Sequence, residues 1–550
     1  MNRRGKRPLR QADTVAADTF EPADDPGATG AHIEQAARAG ALSLAGAGVS
    51  AVGGIALTVA LTNGLDRTAA GTVFAITSLF LVVTAVVQLG TEVGLVRWLP
   101  LLVVQRRMAS LRPLIRMALV PVLGAAVVAA LLGLFLAEDI ATMLGDGSGA
   151  AVAMVRVVAI CLPVAAAYQV LLAATRGLRT MRPTVVVEGL GRTLLQLVLV
   201  VLVLLTGFGA TGVVVAWALP YAAGLAVTVG WLAVLLRQRD GSGAAHSSVP
   251  PGASEPTGRA ELAEVRRGFW RFTGPRALGT VAQMALKRFD IVLVAALRSP
   301  AEAALYAAAT RFVVIGQLGV QALQQALAPQ LSALFASNDR NGVRDVYRAA
   351  TAWTMLLAWP VYLACAVLAP ELLLLFGDGY SEVASVVVLL SLAMLAATAS
   401  GAVDVVLLMS GHTWLSLGNN LFAMVLNVGL NLVLIPRYGA LGAAISWSIA
   451  IVLRNLLPLV QVRVIFGISP VSRETGFVAL SAAVCLGVVP GLIRALGAPI
   501  GWVVVALVVG MVVFAASAWL ARATLHLDGL VGMLRARRTA RAARLVPVAP

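Results

Sequence analysis

Charge is scarce in this chain. Of its 550 residues only 12% are Asp, Glu, Lys or Arg and 59% are hydrophobic, where a soluble domain carries about 25% charged residues. That shortage excludes a string of soluble domains, since most of the apolar surface must face lipid or other helices. Histidine and cysteine are rarer still: His32, His246, His412 and His526, with Cys161, Cys365 and Cys485. No HxxxH pair and no Cys/His grouping occurs, so no zinc ligand set is expected. Each cysteine lies in an apolar run and reads as a small packing residue. The glycine-rich GAGVSAVGG at 46–54 follows no strand and lacks the GK[ST] of a phosphate loop, which removes the route to ATP hydrolysis. No enzyme chemistry and no cofactor are expected. Uphill work would draw on an ion gradient (H+ or Na+), the membrane potential or consumption of product.

Long unalternating apolar runs are what the chain does have. A helix crosses ~30 Å of hydrocarbon with about 20 apolar residues, whereas a barrel strand needs about 10 in strict alternation. The expected fold is therefore an all-α polytopic membrane protein with about 14 transmembrane helices. The basic opening MNRRGKRPLR is followed by polar and acidic residues rather than a short apolar core, so the first apolar run reads as a retained helix. Residues 1–38 form a polar tail, 39–236 hold spans one to six, and 237–268 make a linker. Spans seven to twelve occupy 269–465, the last pair 474–524, and a basic tail 525–550. In that tail Leu527, Leu530, Val531 and Leu534 recur at helical spacing beside Arg535, Arg537, Arg538, Arg541 and Arg544. The pattern suits either an interfacial helix on anionic lipid or an ordinary basic tail.

Basic residues give the orientation. On one side only Arg67, Arg298, Arg437 and Arg494 occur; Arg156, Arg192, Lys287, Arg288, Arg311 and Arg454 lie within spans, and the rest fall on the other side. Cytoplasmic loops are rich in Lys and Arg. Both termini are therefore expected in the cytoplasm.

The chain also repeats itself. LTGFGATGVVVAW at 205–217 and LIPRYGALGAAISW at 434–447 share Gly209/Gly439, Ala210/Ala440, Gly212/Gly442 and Trp217/Trp447. The stretch AAGTVFAITSLF, 69–80, lines up with the sequence after span seven, and Pro100 and Pro329 each follow the even helix. Two six-helix units entering from the same side are related by an axis along the membrane normal, the parallel kind of transporter repeat. The junction glycines read as turn and close-contact residues.

An ionisable residue at mid-bilayer costs about 2.5–3.5 kcal/mol on insertion scales, so one found there usually faces a cavity or a partner. In span seven Arg276, Thr280, Gln283, Lys287 and Asp290 step by four, three, four and three residues and share a helical face, with Arg288 on its flank. Span eight adds Thr310, Gln317, Gln321 and Gln324 with Arg311 beside them. Span two offers Thr77, Thr84, Gln88 and Thr91 with Glu92 adjacent, and span eleven Ser416, Asn420, Asn427 and Asn431. A polar, net cationic cavity between the two units accommodates them. The plainer reading is that Lys287 and Asp290 neutralise each other, and that Glu188 and Arg192 form a local pair that snorkels. Asp404, Glu92, Arg156 and Arg454 are divided between the two readings.

At Lys287 to Asp290, Ala304 to Ala308 and Pro329 to Ser332, and again at NLVLIPRYGALGAAIS, 431–446, the sequence resembles the multidrug/oligosaccharidyl-lipid/polysaccharide flippase superfamily, polysaccharide branch. The resemblance implies a MATE-like, V-shaped transporter of two lobes that alternates between inward and outward openings. It implies a lipid-linked glycan as cargo and the bacterial cytoplasmic membrane as location. A glycan polymerase or glycosyltransferases would be partners; nucleic acid would not, and a monomer is expected. Lys287, Arg288 and Arg311 would hold the phosphate, and Asp290, Gln283, Gln321, Asn420, Asn427, Glu92 and Asp404 would line the cavity or serve coupling. A lipid II flippase, an ion-coupled multidrug antiporter of the same superfamily and a membrane scaffold for glycan assembly are the alternatives.

Overall fold

A computed structural model describes residues 46, 48–105, 107–244 and 258–525. The tail expected over 1–38, the middle of the linker and the basic tail beyond residue 525 lie outside the described residues. No strand occurs among those described, and eleven of their helices are long and apolar enough to cross a membrane. That is the outcome lipid enforces, because a helix satisfies its own backbone polar groups where water cannot.

In the first half, α1 is Gly48–Gly64, α2 Arg67–Val87, α3 Thr91–Val104, α4 Leu111–Phe135, α5 Ala137–Leu144 and α6 Gly149–Gly177. A π-helical stretch at Thr184–Arg192 runs into α7, Thr193–Thr206, and α8 is Gly209–Ala244. The second half holds α9 at Gly258–Leu297, α10 at Pro300–Ala309, α11 at Arg311–Ala336 and α12 at Arg340–Val367. It continues with α13 at Ala369–Leu374, α14 at Ala384–Ala399, α15 at Val403–Met409 and α16 at Thr413–Phe466. The final pair comprises α17, Arg473–Ala482, α18, Val489–Ala495, and α19, Ile500–Leu520. Across the linker expected over 237–268, α8 runs on to Ala244 and α9 begins at Gly258.

Local chemistry sets the starts. Asp66 accepts from the Ala69 amide at 3.0 Å, Ser148 from Ala151 at 3.2 Å and Asp339 from Gly342 at 2.9 Å. Each satisfies an amide that a helix start leaves free. Ser299 caps α10 through Glu302, with Pro300 in the first turn, where a missing N–H costs nothing.

The 54-residue α16 is too long for one span and is not straight. Arg454 donates to Asn420 at 2.8 Å and Asn419 to Gln461 at 2.8 Å. Residues 34 apart on one straight helix would lie about 51 Å apart, so α16 folds back on itself. The fold is at Gly439, whose φ of 56° and ψ of −133° only glycine adopts readily. A Cβ there would run into the Glu302 carboxylate, which instead accepts from the Ala440 amide at 3.1 Å. Arg298 donates to the Pro436 carbonyl at 3.4 Å and to Glu302 at 3.1 Å. The repeated glycine motif is thus a hairpin, clasped in the second half by the start of α10.

These contacts belong to a row that joins alternate loops on one side. Asn63 donates to the Leu375 carbonyl at 3.0 Å and Arg67 to the Asp378 carbonyl at 2.7 Å. Gly71 lies so close to Pro300 that a Cβ would strike its carbonyl. Arg494 makes two 2.9 Å bonds to Glu371 and one to the Val367 carbonyl. On the opposite side Arg348 reaches Ser469 at 3.3 Å, and the Trp353 indole N–H reaches the Leu525 carbonyl at 2.9 Å.

Three helices break inside the apolar region. α2 and α3 part at Leu89 and Gly90, both at positive φ; α10 and α11 meet at Thr310; α14 and α15 part around Gly401, at φ 64°. Broken helices within a transporter bundle are where backbone and side chains line a cavity.

Candidate polar site between the halves

Asp290 is buried in α9 at 3% exposure. One carboxylate oxygen accepts from the Asn431 amide at 2.7 Å, the other from the Tyr306 hydroxyl at 3.2 Å. Asn431 also donates to Asn427 at 3.2 Å, while the Asn427 amide nitrogen and the Asn431 carbonyl oxygen are buried without a partner. The unsatisfied Asn431 carbonyl oxygen beside the Asp290 carboxylate offers acceptors in a buried place, which suits a proton or a small cation. The plainer alternative, neutralisation of Asp290 by Lys287, does not occur: no ion pair joins them. Residues three apart differ by about 60° around a helix, and the carboxylate turns to the neutral donors of α10 and α16 while Lys287 is exposed.

A second group links α9 to the α15–α16 turn. Asp404 accepts from Ser416 at 2.6 Å, Asn420 donates to the Ser416 carbonyl at 2.9 Å, and Arg454 donates to Asn420 at 2.8 Å. Arg454 lies within electrostatic range of Asp404 and of Lys287. The structure thus gathers Lys287, Asn420 and Asp404, and adds Arg454 to them.

The first half presents a third group from the π-helical stretch. Arg192 donates to Glu188 at 2.8 and 3.0 Å and to Gln196 at 2.9 Å, and its guanidinium lies 5.3 Å from the Tyr221 ring centre. Gln196 donates in turn to the Trp217 carbonyl at 2.9 Å. The local Glu188–Arg192 pair is present, but its side chains are 25% and 19% exposed, held among tyrosines rather than reaching for the membrane surface. π-Bulges are frequent at functional sites, and here one brings Glu188 within interaction range of the buried Tyr168 hydroxyl. Glu92 pairs with Arg176 at 3.4 Å and belongs to this side, within range of Glu188.

Arg288 spans the gap. It rides on α9 of the second half yet lies within electrostatic range of Arg192 and Tyr221 of the first, and of Arg311. Arg311 opens α11 immediately after the α10 break, and its Nε is buried without a partner. Lys287, Arg288 and Arg311 make no ion pair with any described residue. Gln283 and Gln321 are exposed, and the structure does not join them to these networks. Arg156, taken as intramembrane, pairs instead with Glu138 at 3.8 Å at the surface.

Tyr306, Tyr168, Tyr221 and Gln196 were not among the expected site residues. Tyr306 had a visible signal, since it is the aromatic of the Ala304 to Ala308 element. Tyr168 and Tyr221 show only as lone hydroxyls in apolar helices.

Two helical halves with broken helices and a shared polar interior define a membrane transporter. Residues 72–385 match the family described as polysaccharide biosynthesis protein, and the chain belongs to it. A 203-residue stretch, 37% of this chain, is 21% identical to the probable low-salt glycan biosynthesis flippase Agl15 of Haloferax volcanii; the match spans 43% of that relative. The fold is similar to that of the lipid II flippase MurJ in an inward closed conformation, with a TM-score of 0.63 at 13% identity over 86% of this chain and 97% of that one. It is also similar to an inward-facing MATE family multidrug transporter of the MOP superfamily, with a TM-score of 0.60 at 15% identity over 76% and 94%.

Proposed function

We propose that this chain is a flippase. It carries a polyprenyl-(pyro)phosphate-linked oligosaccharide from the inner to the outer leaflet of the bacterial cytoplasmic membrane by alternating access, for cell-surface polysaccharide or cell-wall assembly. Fourteen spans with both termini cytoplasmic complete this reading: the eleven long helices, α16 counted twice, the charged α9 and the short α1. The observation that carries it is the set of cations without counter-ions, Lys287, Arg288 and Arg311, grouped where the halves meet. Cations within membrane spans persist where they face a cavity or an anionic visitor, and guanidinium suits a phosphate bidentately. The multidrug alternative calls for an acidic site open to organic cations, whereas Asp290 is closed in by Asn431 and Tyr306.

Asp290 with Asn427, Asn431 and Tyr306 is the coupling site in this reading, for H+ or Na+. Gln283, Gln321, Asn420, Glu92 and Asp404 are lesser contributors. A glycan polymerase or glycosyltransferases supply or consume the cargo. Cells carrying K287A, R288A or R311A, each checked for normal membrane levels, should accumulate the lipid-linked intermediate on the inner leaflet. Export at the wild-type rate in all three would remove the proposal.

A further inference from the structure

On the side opposite the hairpins the halves meet along a tight seam. A Cβ on Gly90 would lie 2.9 Å from the Ala277 backbone, and one on Gly94 would strike Thr273 and Phe269. Gly268 in turn receives the Trp98 ring. α3 of the first half and α9 of the second therefore touch almost backbone to backbone. At the rim of this seam, Arg97 of α3 lies 4.1 Å from the Phe272 ring centre and Arg276 of α9 lies 4.5 Å from it.

Two cations sharing one ring, each within electrostatic range of the other, repel. Neither forms an ion pair with a described residue. A guanidinium stacked on an aromatic face keeps its N–H groups in its own plane, free to point outward. The ring thus holds two exposed guanidinium groups, one from each half, whose N–H groups face solvent and are open to a ligand. Next to them in sequence, the Trp98 indole N–H and the Thr273 hydroxyl are buried without partners. Two adjacent guanidinium groups without a counter-ion among the described residues describe a site for an anion rich in acceptor oxygens.

We propose that Arg97 and Arg276, held on Phe272 across the α3–α9 seam, form a binding site for a phosphate-bearing anion, separate from Lys287, Arg288 and Arg311. Filling it neutralises the repulsion and ties the two halves together on this side. Phe272, Arg276, Thr280, Gln283 and Lys287 follow one another at helical spacing along α9, so the site stands at the outer end of the polar stripe that leads to the central cations. An anion that contacts both halves binds the closed seam better than the open one, which links occupancy to closure. This inference uses the flippase reading for its direction of travel, but the anion site does not depend on it.

Hydrogen exchange on the purified full-length protein tests it, with and without inorganic pyrophosphate, and in nanodiscs of phosphatidylglycerol against phosphatidylcholine. Exchange should slow in segments 89–101 and 264–277, because opening of the seam becomes rarer. R97Q and R276Q should each weaken the pyrophosphate response by about tenfold, with R97K recovering part of it. R437Q, which removes a cation on the hairpin side, should leave it unchanged, and export of the lipid-linked intermediate reports failure of the central site separately. Slowing by pyrophosphate assigns a diphosphate group; slowing only by phosphatidylglycerol assigns a lipid headgroup. Slowing by neither, or slowing that survives in both R97Q and R276Q, overturns the proposal.

Discussion

Where the second half has Tyr306 and Arg311, the first half has Val73 and Ser78 in register, and where the second has Asn427 and Asn431 the first has Leu197 and Val201. Conversely, the first half has Gly71 where the second has Ala304, and Gly71, Gly90 and Gly94 all press against the other half. One duplicated plan has been put to two uses. The second half holds the polar groups around Asp290 and the unpaired cations, while α2 and α3 of the first supply close-approach surfaces at both ends. Intramembrane charge is costly, so confining most of it to one half leaves the other free to slide and close.

The largest effect should come from spoiling that surface. G94V drives two methyl groups into Thr273 and Phe269. It should abolish closure on the α3–α9 side and reduce transport by at least about a hundredfold, an overpacking clash for which a close-packed seam has no room. Cross-linking of cysteine pairs across the seam reads closure directly.

Next comes a contrast between the repeats. G439A needs a disallowed backbone and collides with Glu302, whereas G209A, at φ 68° with open space around it, meets only backbone strain. The first should cost more than about 2 kcal/mol and the second about 1 kcal/mol, compared by thermal unfolding in detergent. Equal losses would mean that the Glu302 clasp contributes nothing.

D290A should follow. It leaves the Asn431 amide and Tyr306 hydroxyl without their acceptor, at a cost of about 1–3 kcal/mol in stability, with ion dependence of transport lost. The counterpart L57A in the first half should leave ion dependence intact.

The smallest effect is at Glu371. Hydrogen bonds from Arg494 hold its carboxyl below the ordinary range. A depressed carboxyl contributes stability above the unfolded value, about 4.3, and loses it as pH falls through the folded value. The difference in melting temperature between wild type and E371Q should therefore be steady near neutrality and shrink as pH falls below about 4.3, the unfolded value.

Much of this arrangement was readable from the chain alone. Lipid leaves the backbone few choices, so apolar runs gave the helices and the repeated glycines gave the hairpin at Gly439. Asp290 declared itself as a costly charge, and Asn427 lay on a visible stripe. What periodicity could not show were long-range choices. Asp290 takes Asn431 and Tyr306 over Lys287 because tertiary packing, not helical spacing, decides which donor is nearest. The break at Leu89 and Gly90 has no proline to mark it, and the Arg97–Phe272–Arg276 stack joins residues far apart in sequence. Helix spacing also suggested one uniform face from Arg276 to Asp290, yet Lys287 is exposed and Asp290 buried.

The central claim is that the unpaired cations of the second half carry the cargo. Purified protein in vesicles, supplied with a fluorescent polyprenyl-diphosphate sugar, measures its movement between leaflets. R288Q should slow that movement by about tenfold or more, while E188Q/R192Q, which replaces both members of a half-buried, already neutralised pair in the first half, should change it by less than about threefold. Movement that survives R288Q and is lost in E188Q/R192Q would contradict the account.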